Sequence, residues 1–319
     1  WAISAATLEN MRRQHLEPST ITYNAVASAC GKDDAWPWTL NLLGEMQHSG
    51  YDPDVVTCST VISGCAVGGE WTGALAVMEE ARRAGLEPDV VMHNAAIRAA
   101  ERGQEWAGAC AVLAQMESCA LTPNVVTHNT AISACEKGGK WPHASRLLRA
   151  MQLTGLRADA ITLNAAISAC QKGEQWQWAL DIFAQTYRAR LSPSVITYSA
   201  VVSACEKASH WLRAFSLLAD MRRSAILPNA MTCSAAISAC EKADEWQNAM
   251  AVFADMEQSR VTPNMVTYNA IISACEKGGE WQQALSLLAG MLRKSIRAGV
   301  ISYSAVISAC EKGGEWQRA

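Results

Sequence analysis

The chain has 319 residues, 50% of them apolar and only 18% charged, which excludes wholesale disorder. Its formal net charge is −3, so any nucleic-acid binding must come from a local stripe of charge rather than a basic molecule. No stretch holds eighteen unbroken apolar residues, which excludes a transmembrane helix.

Residues 1–19 read as the tail of a repeat that began earlier, and a chain starting at Trp1 rather than Met reads as an excerpt or a mature fragment. The period behind this reading is carried by tryptophan. Trp1, Trp36, Trp71, Trp106, Trp141, Trp176, Trp211, Trp246, Trp281 and Trp316 are each 35 residues apart; only Trp38 and Trp178 lie off the grid. Cys30, Cys65, Cys135, Cys170, Cys205, Cys240, Cys275 and Cys310 keep the same period, with Ala100 in the one missing slot. A fixed period of this length is the signature of a solenoid. Eight complete units follow from residue 20: 20–54, 55–89, 90–124, 125–159, 160–194, 195–229, 230–264 and 265–299. Residues 300–319 begin a ninth.

Each unit predicts two helices. In the unit from Met265, the residues Tyr268, Ile271, Ile272 and Cys275 form a helical stripe, and Ala270 and Ala274 leave room for close packing. Gly278-Gly279 breaks that helix. Trp281, Ala284, Leu285, Leu288 and Met291 form a second stripe. The preceding Pro263-Asn264 closes a loop and supplies a polar helix start. No strand-type alternation recurs. A helix pair this short buries its apolar face only by stacking on its neighbours.

The units resemble pentatricopeptide repeats. The likeness lies in the 35-residue length, the openings Ile21-Thr22-Tyr23-Asn24 and Val266-Thr267-Tyr268-Asn269, and the Ala-Leu then Met pattern of the second helix. The endings Pro53-Asp54, Pro88-Asp89 and Pro123-Asn124 add to it. A tetratricopeptide array, with its 34-residue period, fits ten in-phase tryptophans poorly. The resemblance implies an all-α, right-handed superhelical solenoid that binds single-stranded RNA one base per repeat.

In that family the fifth residue of the first helix and the last residue of the unit read the base, and the second residue wedges between bases. The implied wedges are Ile21, Val56, Val91, Val126, Ile161, Ile196, Met231 and Val266. Asn24 with Asp54 implies uracil, and Ser59 with Asp89 guanine. Asn94 with Asn124 implies cytosine, Asn129 with Asp159 uracil, and Asn164 with Ser194 a pyrimidine. Ser199 with Asn229 and Ser234 with Asn264 imply adenine. Asn269 is followed by Gly299, which has no side chain to read with, and Ser304 opens the ninth unit. The implied target is 5′-UGCU(C/U)AAN-3′. Ala158 and Ala298 replace the loop proline, which would shift the reading residue after each.

Two further accounts of these positions stand beside base reading. Asn or Ser at the fifth position can bond local backbone. Asp or Asn at the loop position can cap the next helix as readily as read a base. The fifth slot is nonetheless Asn or Ser in every unit, whereas a protein-binding scaffold, the alternative function, would put apolar or charged residues there.

A basic residue recurs before each turn: Lys32, Arg102, Lys137, Lys172, Lys207, Lys242, Lys277 and Lys312, with Val67 the exception. In the family this position approaches phosphates. Compensation of the helix dipole explains it equally well. With so few positive charges, the salt dependence of binding is expected to be shallow, about −0.7 per contacted phosphate in log–log terms.

The periodic Trp reads as packing rather than a stacking platform for bases. The twelve cysteines include no Cys-x-x-Cys, so small buried residues in a reducing compartment explain them better than zinc or disulfides. His15, His48, His93, His128, His143 and His210 form no catalytic constellation, and no phosphate loop or deaminase signature appears. The expectation is a binding protein with no catalytic residues, metal or cofactor and no membrane partner. The family implies mitochondrial or chloroplast RNA processing, stability, editing or translation. Protein partners or effector domains would lie outside this sequence.

Overall fold

The computed structural model describes residues 1–32 and 35–314, except the side chain of Lys32. Trp316 and the rest of 315–319 lie outside the described residues, within the expected ninth unit. Among the described residues every regular element is an α-helix. After α1 (Ala2–Arg13) come pairs of a first, or A, helix and a second, or B, helix. They are α2 (Thr20–Lys32) with α3 (Trp36–His48), α4 (Val55–Gly68) with α5 (Trp71–Arg83), and α6 (Val90–Arg102) with α7 (Trp106–Ser118). Then come α8 (Val125–Lys137) with α9 (Trp141–Leu153), α10 (Ala160–Lys172) with α11 (Trp176–Arg188), and α12 (Val195–Lys207) with α13 (Trp211–Arg223). The last are α14 (Ala230–Lys242) with α15 (Trp246–Gln258), α16 (Met265–Lys277) with α17 (Trp281–Arg293), and α18 (Val300–Lys312).

The chain divides into two compact units, Trp1–Ala169 and Cys170–Ala319, with the division inside α10. In the first unit α2, α4, α6 and α8 pack in a row, and the B helices α3, α5 and α7 each bridge two neighbours in that row. In the second unit α12, α14, α16 and α18 form such a row, bridged by α13, α15 and α17. This is the stacking of an all-α repeat solenoid.

The core follows the helical stripes. In α12, Tyr198, Val201, Val202, Ala204 and Cys205 are fully buried. Ala214, Leu217, Leu218 and Met221 of α13 are buried with them. The small Ala and Cys of each A helix let adjacent A helices approach. At Gly31 the approach is close: a Cβ there would stand 3.2 Å from the Cα of Gly64.

The tryptophans spaced 35 apart from Trp36 to Trp281 open the B helices and are half-buried. Within each unit they pack against the turn that ends the next A helix. A Cβ on Gly138 would lie 2.7 Å from Trp106 Cδ1, and one on Gly103 would lie 3.2 Å from Trp71 Cδ1. Gly278 meets Trp246, and Gly313 meets Trp281, in the same way. The indole thus fills the space that a small turn residue leaves.

Candidate nucleic-acid interface

The candidate site is assembled along the rows of A helices. Each A helix starts on the last residue of the preceding 35-residue stretch. Asp54, Asp89, Asn124, Ser194, Asn229 and Asn264 are N-caps in extended conformation, each accepting from the backbone N–H of N3. Asp159 does the same for α10, with Thr162 N–H 2.8 Å from its Oδ1. Such a cap contributes about 1 kcal/mol. The capping position is unchanged where the loop proline is missing. Asp159 keeps the capping place after Ala158, and Gly299 keeps it after Ala298, with φ −100° and ψ 179°. Gly299 offers no side chain, and its N–H donates instead to Ser302 Oγ at 3.3 Å.

The wedge residues stand at N2. Ile21, Val56, Val91, Val126, Ile161, Ile196, Met231 and Val266 are between 50% and 80% exposed. Apolar side chains so exposed, at the same place on each of these A helices, lie outside the buried core. The fifth residues lie three positions further on and so share that side of the helix. Asn24, Ser59, Asn94, Asn129, Asn164 and Asn269 are half-buried, Ser199 and Ser234 are buried, and Ser304 is exposed. A shallow groove between α2 and α4 includes Ser59 with Ser28, Ser63 and Val67.

Asn94, Asn129, Ser199, Ser234 and Asn269 find partners one repeat on. Thr127 Oγ1 donates to Asn94 Oδ1 at 2.7 Å, and Ser302 Oγ donates to Asn269 Oδ1 at 2.6 Å. Ser199 Oγ meets Thr232 Oγ1 at 2.6 Å, and Ser234 Oγ meets Thr267 Oγ1 at 2.7 Å. Asn129 is held twice. Its Oδ1 accepts from Thr162 Oγ1, and its Nδ2 donates to Asp159 at 3.1 Å and 3.0 Å. Burial raises the Asp159 carboxyl, but bonds from Thr162 and Asn129 outweigh it and hold the group below the usual carboxylate range. Asp54 is lowered in the same way by Thr57 and Asn24 against its own burial. Both stay ionised, as acceptors, at neutral pH.

The sequence missed these threonines as functional residues. Their signal was the 35-residue recurrence of Thr57, Thr127, Thr162, Thr197, Thr232 and Thr267 just before the fourth-position residue, broken by Met92.

The basic residues at the A-helix ends are exposed but engaged. Lys137 pairs with Glu101 at 3.0 Å, Lys242 with Glu206 at 2.8 Å, Lys277 with Glu241 at 3.1 Å and Lys312 with Glu276 at 3.1 Å. Each partner belongs to the preceding A helix. Lys277 is slightly lowered by burial, but Glu241 and Asp244 raise it above the usual lysine range. Arg102 donates to the Val67 carbonyl at 2.8 Å. Lys172 is exposed and also has a partner. Lys207 is exposed and faces a slot where Gln171 replaces the usual Glu. The side chain of Lys32 lies outside the described residues. Exposed pairs of this kind are worth at most about 1 kcal/mol, so a phosphate can displace the carboxylate.

Among the described residues no group of three or more His, Cys, Asp or Glu is placed to hold a metal ion, and no helix is long and apolar enough to cross a membrane. Burial pushes the Cys205, Cys233, Cys240 and Cys275 thiols up to about 11 and Cys65 to about 12.

The pentatricopeptide repeat domain family matches residues 76–137, 146–208 and 216–278. The PPR repeat family matches 18–67 and 263–312, and single PPR repeats match 56–86, 126–156 and 196–226. No curated protein matches the chain in sequence. Among solved structures, the pentatricopeptide repeat protein PPR10 in complex with an 18-nt psaJ RNA element matches with TM-score 0.73 and 20% identity. That match covers 99% of this chain and 46% of PPR10, so this chain spans about half its length. PPR10 from maize matches with TM-score 0.62 and 28% identity over 98% of this chain and 49% of that one. The PPR domain of Arabidopsis thaliana protein-only RNase P 1, in complex with tRNA, matches with TM-score 0.51 and 17% identity over 59% of this chain and 95% of that one.

Proposed function

Because the chain belongs to the pentatricopeptide repeat family, we propose that it binds single-stranded RNA, one nucleotide per repeat, along its A helices. The repeats are those beginning at residues 20, 55, 90, 125, 160, 195, 230 and 265, with a partial ninth from residue 300. The observation that carries the reading is the recurrence, on one side of each A helix, of an exposed aliphatic residue and a polar residue three positions on. Aliphatic wedges suit the space between splayed bases, and Asn, Ser and Asp suit their Watson–Crick edges. Similar folds holding an 18-nt RNA and a tRNA support the class of ligand.

The reading pairs give 5′-UGCU(C/U)AAN-3′. A capping side chain can keep hydrogen-bonding capacity for a base: Asp54 caps through Oδ1 and has a second carboxylate oxygen. The role is occupancy of an RNA site rather than chemistry upon it, in a mitochondrion or chloroplast as the family implies. There it serves RNA processing, stability, editing or translation.

The test is fluorescence anisotropy with labelled 5′-UGCUCAAU-3′, a scrambled RNA and DNA of the same sequence. Tight, scramble-sensitive RNA binding is expected. Ser59→Asn should move the preference at the second nucleotide from G to U. A folded sample that binds no RNA would overturn the reading and favour a protein-binding scaffold.

A further inference from the structure

Asn has two faces of opposite character, a carbonyl that accepts and an NH2 that donates. Which of them meets a nucleotide decides what the residue reads. Nothing in the sequence of a single repeat settles it. The neighbouring repeat does.

At Asn129 the orientation is fixed from two directions. Asp159 can only accept, so the amide Nδ2 must face it, and it lies 3.1 Å and 3.0 Å from the two carboxylate oxygens. The carbonyl Oδ1 then points at the hydroxyl of Thr162, whose single proton is shared between it and Asp159 Oδ1, the latter 2.7 Å away. Thr162 is fully buried, and its own backbone N–H caps onto Asp159 at 2.8 Å. One side chain therefore anchors both members of the reading pair. The same arrangement recurs where Thr127 donates to Asn94 and where Ser302 donates to Asn269. In all three, the carbonyl is occupied inside the protein, and the NH2, with its two hydrogens, is the group of the side chain that can donate.

We propose that the hydroxyl at the third position of a repeat is a positioning residue that sets the base preference of the repeat before it. By occupying the Asn carbonyl, it makes that Asn a hydrogen-bond donor toward RNA. A donor suits the O2 acceptor of a pyrimidine, while the ionised Asp159 suits the N3–H of uracil. The inference rests on the base-reading function proposed above.

Two places in the chain depart from the arrangement. Met92 fills the third position after Ser59 and Asp89, so that pair has no hydroxyl to hold it. At Asn24 the hydroxyl of Thr57 bonds the capping Asp54 at 2.8 Å, as Thr162 bonds Asp159, but Asn24 Oδ1 is buried without a partner. The arrangement is thus a choice made at particular repeats, with Ser302 showing that the hydroxyl rather than threonine is what matters.

The test uses the whole chain with Thr162→Val and Thr162→Ser, and RNAs carrying each of the four bases at the fourth nucleotide. Circular dichroism and melting confirm that both variants are folded. In Thr162→Val the preference for U at the fourth nucleotide should fall by about tenfold, with preferences at the third and sixth nucleotides unchanged. Thr162→Ser should restore it. A merely structural role would weaken binding to all RNAs alike. If the unmodified chain shows no base preference at any position, the base-reading function fails. If it prefers U at the fourth nucleotide and Thr162→Val keeps that preference in full, only the present inference is overturned.

Discussion

His93 shows how one substitution in a repeated slot changes the chemistry. Tyr occupies this place in α2, α12 and α16. In α6 the imidazole is fully buried, and its Nδ1–H donates to the Asp89 carbonyl at 2.8 Å. Its Nε2 is buried without a partner. Burial lowers the His93 pKa, aided by Arg82, against the opposing pull of Asp89. A group with a depressed folded pKa binds its proton more readily when unfolded, so stability falls as pH drops through about 6.5, the unfolded value. Melting temperature should therefore decline between pH 7.5 and pH 5.5, and His93→Tyr should flatten that decline. A parallel decline in the variant would show that another group carries it. The cysteines make a second prediction at this scale. Only Cys119 is exposed and only Cys110 half-buried. Cys110 lies 3.7 Å from Cys135 Sγ, whose S–H lowers its pKa. Brief alkylation of the folded chain should mark Cys119 and Cys110 and leave the other ten untouched, as read by peptide mass spectrometry. Early modification of Cys65 or Cys205 would contradict the burial that raises them.

The side chain that caps an A helix is also the one proposed to meet a base, and the two roles can be separated. Asn229 caps α14 through its Oδ1, 2.9 Å from Thr232 N–H. Glycine replaces a capping Asn at a cost of only a few tenths of a kcal/mol, as Gly299 does naturally. Asn229→Gly should thus leave the melting temperature within a few degrees while erasing the preference for A at the sixth nucleotide. Asn229→Ala should lose the same preference and about 1 kcal/mol of stability besides. Retained adenine preference in both would make Asn229 a cap alone. The helices and their starts were legible in the sequence, because the Trp and Cys grids fix the period and Pro-Asp or Pro-Asn marks the caps. The second-position apolar residues came from the family resemblance alone, and the structure finds them exposed. What the sequence hid was the cross-repeat bonding. Thr127 and Asn94 stand 33 residues apart and Lys242 and Glu206 stand 36 apart. Only stacking of one A helix on the next turns those separations into contacts, so reading repeats singly could not reveal them.

At the scale of the molecule, the net charge of −3 takes on a specific meaning. Lys137, Lys242, Lys277 and Lys312 are each already paired with a carboxylate, so an arriving phosphate exchanges one anion for another. Few solution counterions would then be released, and the salt dependence of the proposed RNA binding should be shallow. Glu206→Gln should free Lys242 and tighten binding to target and scrambled RNA alike, by up to about fivefold. Tightening confined to the target RNA, or none, would show that Lys242 does not meet phosphate. The fit of each indole against the following turn bears on how such a chain can grow. Every 35-residue block brings the indole for one joint and the small-residue turn for another. A block copied or excised whole, wherever the cut falls, rejoins an indole to a turn. A block one residue longer or shorter would swing the next helix by about 100° and turn its polar side inward. Recombination between blocks therefore meets a ruler built into the fold, and each accepted copy would lengthen the RNA site by one nucleotide.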